Sequence, residues 1–190
     1  MNALINNAKS SSNAVFFDMD GTLVETDFAN FLAYKKAIML VLKRTNAIAY
    51  NPAQRVNHNN LREQIGEISD FEYKKIIQTK NKLNTEFLWA THVNQHVLDQ
   101  LISLSKNSSA YLITNAQTDR ALATIAFHGL THYFCGILCK NDRPTNANKY
   151  LHALAHFDVE PRQTIVFENE QDEITKAQHS GICPTNIHYI

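Results

Sequence analysis

Three short apolar runs constrain the fold of this chain more than any other feature of its sequence. Ala14–Phe17 leads into Asp18, Tyr111–Thr114 ends in a hydroxyl residue, and Thr164–Glu168 ends in a carboxylate. Runs of this length and content are typical of strands buried in a parallel sheet. Ligands of open α/β folds bind beside the carboxyl ends of the strands, so the polar residues that end these runs are candidates for a functional site.

Amphipathic helical patterns alternate with strands in the second half of the chain. They predict helices over residues 119–128, 148–157 and 171–179, and weaker strands over 134–139 and 186–190. Strands that alternate with helices form parallel sheets with right-handed crossovers. The sequence therefore predicts the α/β class, with a Rossmann-like three-layer α/β/α core.

Residues 27–99 follow a different pattern, with helical periodicity and almost no strand signal. A helical region between the first and second strands indicates an inserted sub-domain. We therefore expect a discontinuous core of residues 1–26 and 100–190, with residues 27–99 inserted as an α-helical cap. The helices predicted in or beside the insertion are 28–43, 61–67 and 70–80, with one or two more between 84 and 104.

Composition argues against several classes of function. The 190 residues carry 18 basic and 18 acidic side chains, so the formal net charge is zero. Such a balance gives no long-range field that would attract nucleic acid or an anionic membrane. Three cysteines, an odd number without a CxxC pair, favour free thiols in a reducing compartment over a disulfide framework. We therefore expect a cytoplasmic protein.

The segment Asp18-Met19-Asp20-Gly21-Thr22 follows the first strand and carries most of the chemical information. Its two carboxylates are one residue apart and repel each other. A divalent cation relieves that repulsion, and Mg²⁺ prefers hard oxygen ligands. The alternative is a solvated turn, because Asp-Gly is common in turns.

This segment resembles the first motif of the haloacid dehalogenase (HAD) superfamily of hydrolases. The resemblance implies that Asp18 is a nucleophile that forms an aspartyl-phosphate and that Asp20 is the general acid and base. Having both residues resembles the phosphatases and phosphomutases rather than the dehalogenases, which lack the second Asp. A positioned carboxylate can attack phosphorus, and a second can protonate the leaving alcohol and then deprotonate water.

Two further segments resemble the second and third motifs of the superfamily. Leu112-Ile113-Thr114-Asn115 matches an apolar strand whose terminal hydroxyl and nearby groups hold phosphoryl oxygens. The third motif is a basic residue that offsets the charge of the nucleophile and the phosphoryl group. Arg143, before Pro144, is the favoured candidate, and Lys149 at the start of the next helix is the second choice.

The segment 166–174 resembles the fourth motif, in which acidic residues after a strand complete the metal site. Glu168, Asn169 and Asp172 are therefore candidate Mg²⁺ ligands beside Asp18 and Asp20. Asn169 stands where the superfamily usually has Asp, and its amide oxygen can bind Mg²⁺ only without the charge. The alternative is an acidic helix start favoured by the helix dipole.

The resemblance implies that the cap selects the substrate, because it covers the site and excludes water. Sequence alone offers only weak candidates for substrate contacts there. They are Tyr34, Lys35, Arg55, His58, Arg62 and Trp89.

The leading hypothesis is a Mg²⁺-dependent phosphatase that acts on a small phosphorylated metabolite. A phosphomutase is an alternative within the superfamily, and a catalytically weakened protein that binds a phosphorylated ligand or a protein partner is another. A bacterial receiver domain also clusters acids at strand ends, but it lacks a helical insertion of this length. The expected partner is a small phosphorylated substrate rather than nucleic acid or a membrane, and the expected assembly is a monomer or homodimer.

Overall fold

A parallel sheet of five strands forms the central layer of the fold. The computed structural model describes residues 13–58 and 60–190. The five strands lie in the order β5-β4-β1-β6-β7, and β2 and β3 form a separate antiparallel pair. The strands are β1 (Ala14–Phe17), β2 (Val24–Glu25), β3 (His92–Val93), β4 (Ser109–Ile113), β5 (Gly136–Leu138), β6 (Thr164–Glu168) and β7 (Ile187–Tyr189).

Strand β1 occupies the centre of the sheet because all of its residues are apolar and buried. It pairs in parallel with β4 on one side and β6 on the other, so that Phe17 lies opposite both Leu112 and Phe167. The predicted α/β class with a parallel sheet is confirmed. The edge strands β5 and β7 are shorter than the patterns that predicted them.

Seven α-helices accompany the strands, and several begin at the capping residues that their sequences supply. Ser69 and Glu72 form a reciprocal capping box, and the side chain of Asn148 accepts hydrogen bonds from two backbone N–H groups. The helices are α1 (Asp27–Leu42), α2 (Leu61–Ile65), α3 (Asp70–Leu83), α4 (Gln95–Leu104), α5 (Thr118–Phe127), α6 (Lys149–Phe157) and α7 (Gln171–His179). None of them, in the part of the chain that the structure describes, has both the length and the hydropathy that crossing a membrane requires.

The two faces of the sheet pack against different helices because side chains alternate along each strand. Val15 and Phe17 share a buried cluster with residues of α4 and α5. Phe16 packs on the other face with Tyr150 of α6 and Ala177 of α7. The core is therefore the three-layer α/β/α arrangement that the alternation predicted.

Helices α1, α2 and α3 build a third buried cluster of their own, in which Phe31, Ile38, Leu61 and Ile76 are buried. We call residues 27–91 the helical segment. The boundary expected after residue 99 falls inside α4, which packs on the sheet. The division into core and cap remains a proposal, and residues 1–12 of the expected core lie outside the described residues.

Placing α4 in the core of the sheet generates a stability prediction. Leu101→Ala should lower the free energy of unfolding by about 2–4 kcal/mol, because the change loses buried apolar surface and leaves a cavity. The control is Leu122→Ala on α5, where the side chain is 43% exposed. It should cost less than about 1 kcal/mol. Urea unfolding measures both, and equal losses would contradict the burial of α4.

Candidate active site

A cavity of about 250 Å³ lies between the carboxyl ends of β1 and β4 and the helical segment. Asp18 and Asp20 line it from the loop after β1, and Thr114 and Asn115 line it from the loop after β4. These four residues come from two distant parts of the sequence, and parallel pairing of the two strands brings them to one edge of the sheet. The cavity therefore contains the polar ends of two of the three predicted strands, and Glu168 at the end of the third does not line it.

Lys149, the first residue of α6, forms the floor of this site. Its Nζ lies 2.6 Å from Oδ1 of Asp18 and 2.8 Å from Oε2 of Glu168. Glu173 lies farther away, at 3.9 Å. The Lys149 side chain is only 1% exposed, so its charge depends on these carboxylates instead of on water.

Three carboxylates lie within 4.0 Å of the single Lys149 ammonium, so negative charge is in excess here. Burial raises the pKa of Asp18 to about 8, the Lys149 ammonium opposes that rise, and the Glu168 carboxylate adds to it. Burial alone would lower the pKa of Lys149, but the surrounding carboxylates hold it well above its ordinary value. One ammonium thus faces more carboxylate charge than it can neutralise.

The structure reverses the order of preference between the two basic candidates. Arg143 lies outside the cavity, where its Nη1 donates to the backbone carbonyls of Thr114 at 3.1 Å and Cys139 at 2.9 Å. Its Nη2 donates to the side chain of Asn115. Arg143 therefore stabilises the loop after β4 through hydrogen bonds. Lys149 is the basic residue that contacts Asp18.

Asp20 is held by two arginines and a threonine. Nη1 of Arg120 donates to Oδ1 of Asp20 at 2.6 Å, and Nη2 donates to Oδ2. The Thr26 hydroxyl donates to the same Oδ1 at 2.6 Å, and Arg55 lies 3.8 Å from it. Burial would raise the pKa of Asp20, but these partners hold it well below its usual range. Asp20 is an ionised acceptor in this arrangement, not a proton donor.

The loop after β4 places the Thr114 hydroxyl at the cavity. The Thr114 hydroxyl accepts a hydrogen bond from the backbone N–H of Ala116 at 3.0 Å. A hydroxyl that accepts one bond can still donate its own proton, so Thr114 can donate to a phosphoryl oxygen. Asn115 lies beside it, and its side-chain oxygen is fixed by Arg143. The contact of Thr114 is compatible with the substrate-binding role predicted for it, whereas the side chain of Asn115 is engaged by Arg143 and Glu173, and its role stays a prediction.

The three residues of the fourth motif lie in different environments. Both carboxylate oxygens of Glu168 are occupied, one by the N–H groups of residues 169 and 170 and the other by Lys149 and Tyr150. Asp172 is exposed on α7 and does not line the cavity, so the structure does not place this predicted metal ligand with the other candidates. Its carboxylate points into solvent because the buried face of α7 belongs to Glu173, Ile174 and Ala177.

The amide of Asn169 sits against three oxygens, at 3.0 Å from Thr22 Oγ1, 3.2 Å from Glu168 Oε1 and 3.3 Å from the Asp20 carbonyl. All three accept hydrogen bonds, so the amide nitrogen is the atom that faces them. Gly21 makes this approach feasible. Its φ is +80°, and a Cβ there would lie 2.4 Å from the amide.

The residues at the end of β1 and after β6 are compatible with a Mg²⁺ site that has few charged ligands. Among residues 13–58 and 60–190, no three His, Cys, Asp or Glu side chains converge as a metal cage. Mg²⁺ does not need one, because it usually binds through one or two carboxylates and keeps water or phosphate oxygens. The carboxylate of Asp18, the Asp20 carbonyl and a rotated Asn169 amide supply hard oxygens, and the excess negative charge at Asp18 favours a cation.

The helical segment contributes three of the six weak candidates to the cavity wall, namely Tyr34, Arg55 and His58. Lys35, Arg62 and Trp89 lie elsewhere. Sequence analysis missed Arg120 and Lys80, which also line the cavity. Arg120 lies in the first turn of α5, and a helix that follows a motif strand begins near the site, so its position offered a usable signal.

Comparison with known proteins agrees with this geometry. The sequence matches the haloacid dehalogenase-like hydrolase family over residues 15–186. The chain belongs to this family. No curated protein matches the sequence significantly.

Solved structures of the same superfamily share the fold of this HAD-family chain at low sequence identity. A haloacid dehalogenase-like hydrolase from Streptococcus pneumoniae has a TM-score of 0.67 and 20% identity, covering 90% of this chain and 82% of its own. A predicted phosphoglycolate phosphatase from Haemophilus somnus has a TM-score of 0.71 and 20% identity, covering 91% and 84%. CbbY from Rhodobacter sphaeroides, in complex with phosphate, has a TM-score of 0.70 and 18% identity, covering 90% and 84%.

The ion pair between Arg120 and Asp20 generates a testable prediction about the free energy of unfolding. Arg120→Gln should lower the free energy of unfolding by about 2–3 kcal/mol at pH 7, because it removes the main partner of a buried charge. The same change in an Asp20→Asn background should cost about 1 kcal/mol or less. Additive losses in this double-mutant cycle, measured by urea unfolding, would contradict the pairing.

The pH for that measurement follows from the direction of the Asp20 shift. The folded pKa of Asp20 is lowered, so its stabilisation is present above the unfolded pKa of about 4 and is lost as the pH falls below it. A measurement at pH 7 therefore reports the full effect.

Proposed function

We propose that this HAD-family protein is a phosphatase that hydrolyses phosphoric monoesters of small molecules through an aspartyl-phosphate on Asp18. The observation that carries the proposal is the buried Asp18 carboxylate on Lys149, at the end of the central strand and facing a cavity lined by cations. A cavity of about 250 Å³ suits a small metabolite. We extend the proposal to a cytoplasmic monomer or homodimer.

The first half-reaction transfers the phosphoryl group to the protein. An oxygen of Asp18 attacks phosphorus, the ester P–O bond breaks, and the leaving oxygen takes up a proton. Lys149 orients the attacking carboxylate, and the Thr114 hydroxyl donates to a phosphoryl oxygen as negative charge builds up there. Bound Mg²⁺, held by Asp18, the Asp20 carbonyl and Asn169, would neutralise phosphoryl charge.

The second half-reaction returns the protein to its starting state. Water attacks phosphorus and gives up a proton, the bond between phosphorus and Asp18 breaks, and inorganic phosphate leaves. The superfamily resemblance assigns both proton transfers to Asp20. Because Arg120 keeps Asp20 ionised, Asp20 can act as the acid only after that guanidinium moves and the carboxylate takes up a proton from water. The phosphoryl oxygens of a substrate compete for the same guanidinium.

Replacement of the nucleophile tests the proposal directly. The wild-type protein should release phosphate from an aryl phosphate with Mg²⁺ and lose that activity in EDTA. Asp18→Asn should reduce kcat by about 10³-fold or more, because an amide cannot form the acyl phosphate. Asp172→Asn, on the exposed face of α7, should stay within about twofold of wild type. Full turnover by a folded Asp18→Asn protein would rule out the aspartyl-phosphate route.

Asn169 stands where the superfamily usually has Asp, and this difference generates a prediction about the affinity for Mg²⁺. Asn169→Asp should bind Mg²⁺ about tenfold more tightly, because it adds a negative charge to a site with a single free carboxylate. Isothermal titration calorimetry measures the affinity without depending on turnover. Asp172→Asn should leave the affinity unchanged. Equal affinity in Asn169→Asp and wild type would place the ion away from residue 169.

The second candidate is a weakened protein that binds a phosphorylated ligand without turnover. The bidentate hold of Arg120 on Asp20 favours it, because a permanently ionised Asp20 cannot protonate a leaving group. A folded wild-type protein that binds phosphate monoesters and hydrolyses none of them would support this candidate over the phosphatase.

A further inference from the structure

Lys80 interrupts the buried face of α3. Ile76 and Leu83 lie on the same face of this helix and are buried in the helical segment, and Lys80 between them is only 7% exposed. A lysine at an apolar position pays a desolvation penalty unless its ammonium finds a partner. Its ammonium reaches the wall of the cavity that Asp18 also lines.

Every other cation of the cavity that is shielded from water already has a carboxylate partner. The pairs are Lys149 with Asp18, Arg120 with Asp20 and Arg55 with Asp27. Lys80 makes no ion pair with any carboxylate in residues 13–58 and 60–190, and its Nζ lies 5.1 Å from the centroid of the Tyr34 ring. A cation–π contact offsets only part of the cost of burying an ammonium.

The potential around Lys80 is positive. Burial lowers the pKa of Lys80 to about 7, and the Arg120 and Arg55 guanidiniums lower it further against the opposing effect of Asp20. Burial and then the Lys80 charge also lower the pKa of His58. This part of the cavity therefore lacks an anion, unlike the end at Asp18, where carboxylates are in excess.

We propose that Lys80 binds a second anionic group of the substrate, so that the substrate class is a small phosphate monoester that also carries a carboxylate or a second phosphate. This inference rests on the proposed phosphatase activity, with the reacting phosphoryl group at Asp18. Lys80 and Asp18 line the same cavity of about 250 Å³, which allows a single small molecule to contact both residues. Lys80 is a specificity-determining residue in this assignment, not a group that takes part in the chemistry.

A matched pair of esters tests the assignment. Ethyl phosphate and the phosphate ester of glycolate differ only in the replacement of a methyl group by a carboxylate. We expect the wild-type protein to favour the carboxylated ester by about tenfold or more in kcat/KM. Lys80→Gln should abolish that preference, so that its kcat/KM values for the two esters become equal within about threefold.

Two controls separate this effect from charge loss in general and from the distance between the two groups. Lys82→Gln removes a charge from the exposed side of the same helix, outside the cavity, and should keep the preference. Propyl phosphate and the phosphate ester of 3-hydroxypropionate repeat the comparison with a longer spacer. If Lys80→Gln does not fold, Lys80→Met retains an unbranched apolar side chain of similar length and takes its place.

The outcomes distinguish this inference from the proposed activity. Hydrolysis of both members of each pair with no preference that depends on Lys80 overturns the inference and leaves the phosphatase intact. If no ester is hydrolysed, the proposed activity fails, and calorimetry with the same esters decides the anion site. Weaker binding of the carboxylated esters alone by Lys80→Gln supports the site, and equal or absent binding in wild type and variant overturns it.

Discussion

The buried ammonium of Lys149 is the interaction on which the rest of the site depends. It joins the ends of β1 and β6 by contacting Asp18 at 2.6 Å and Glu168 at 2.8 Å, although it belongs to α6. Without it, two buried carboxylates would face each other with no counter-charge. A buried ion pair of this kind adds little net stability, because desolvation offsets attraction. Its consequence is geometric, since it fixes the nucleophile in one orientation at the edge of the sheet.

Charge is distributed unevenly over the cavity, and that distribution explains its chemistry. Negative charge is in excess around Asp18, which favours a cation there. Positive charge is in excess around Lys80, which favours an anion. Between them, Arg120 and Arg55 neutralise Asp20 and hold its pKa low. In the function proposed here, the same arrangement would bind a phosphate ester and restrain the residue expected to deliver the proton.

The helical segment completes this distribution, because the sheet alone supplies only the Asp18 end. Arg55 and Lys80 come from between β2 and β3, and they line the same cavity as Asp18 and Thr114 of the sheet. In the site proposed here, residues of the core bind the phosphoryl group, and residues of the helical segment contact the remainder of the substrate.

The sequence by itself determined the parallel sheet and the presence of Asp18, Thr114 and Glu168 at one edge of it. Apolar runs that end in polar residues encode that arrangement locally. Only the tertiary structure decided that Lys149 instead of Arg143 contacts Asp18, that Asp172 faces solvent, and that Arg120 and Lys80 enter the cavity. Their positions depend on where each helix packs over the sheet. The packing of helices over the sheet depends on contacts between residues far apart in sequence, and a local sequence pattern does not encode those contacts.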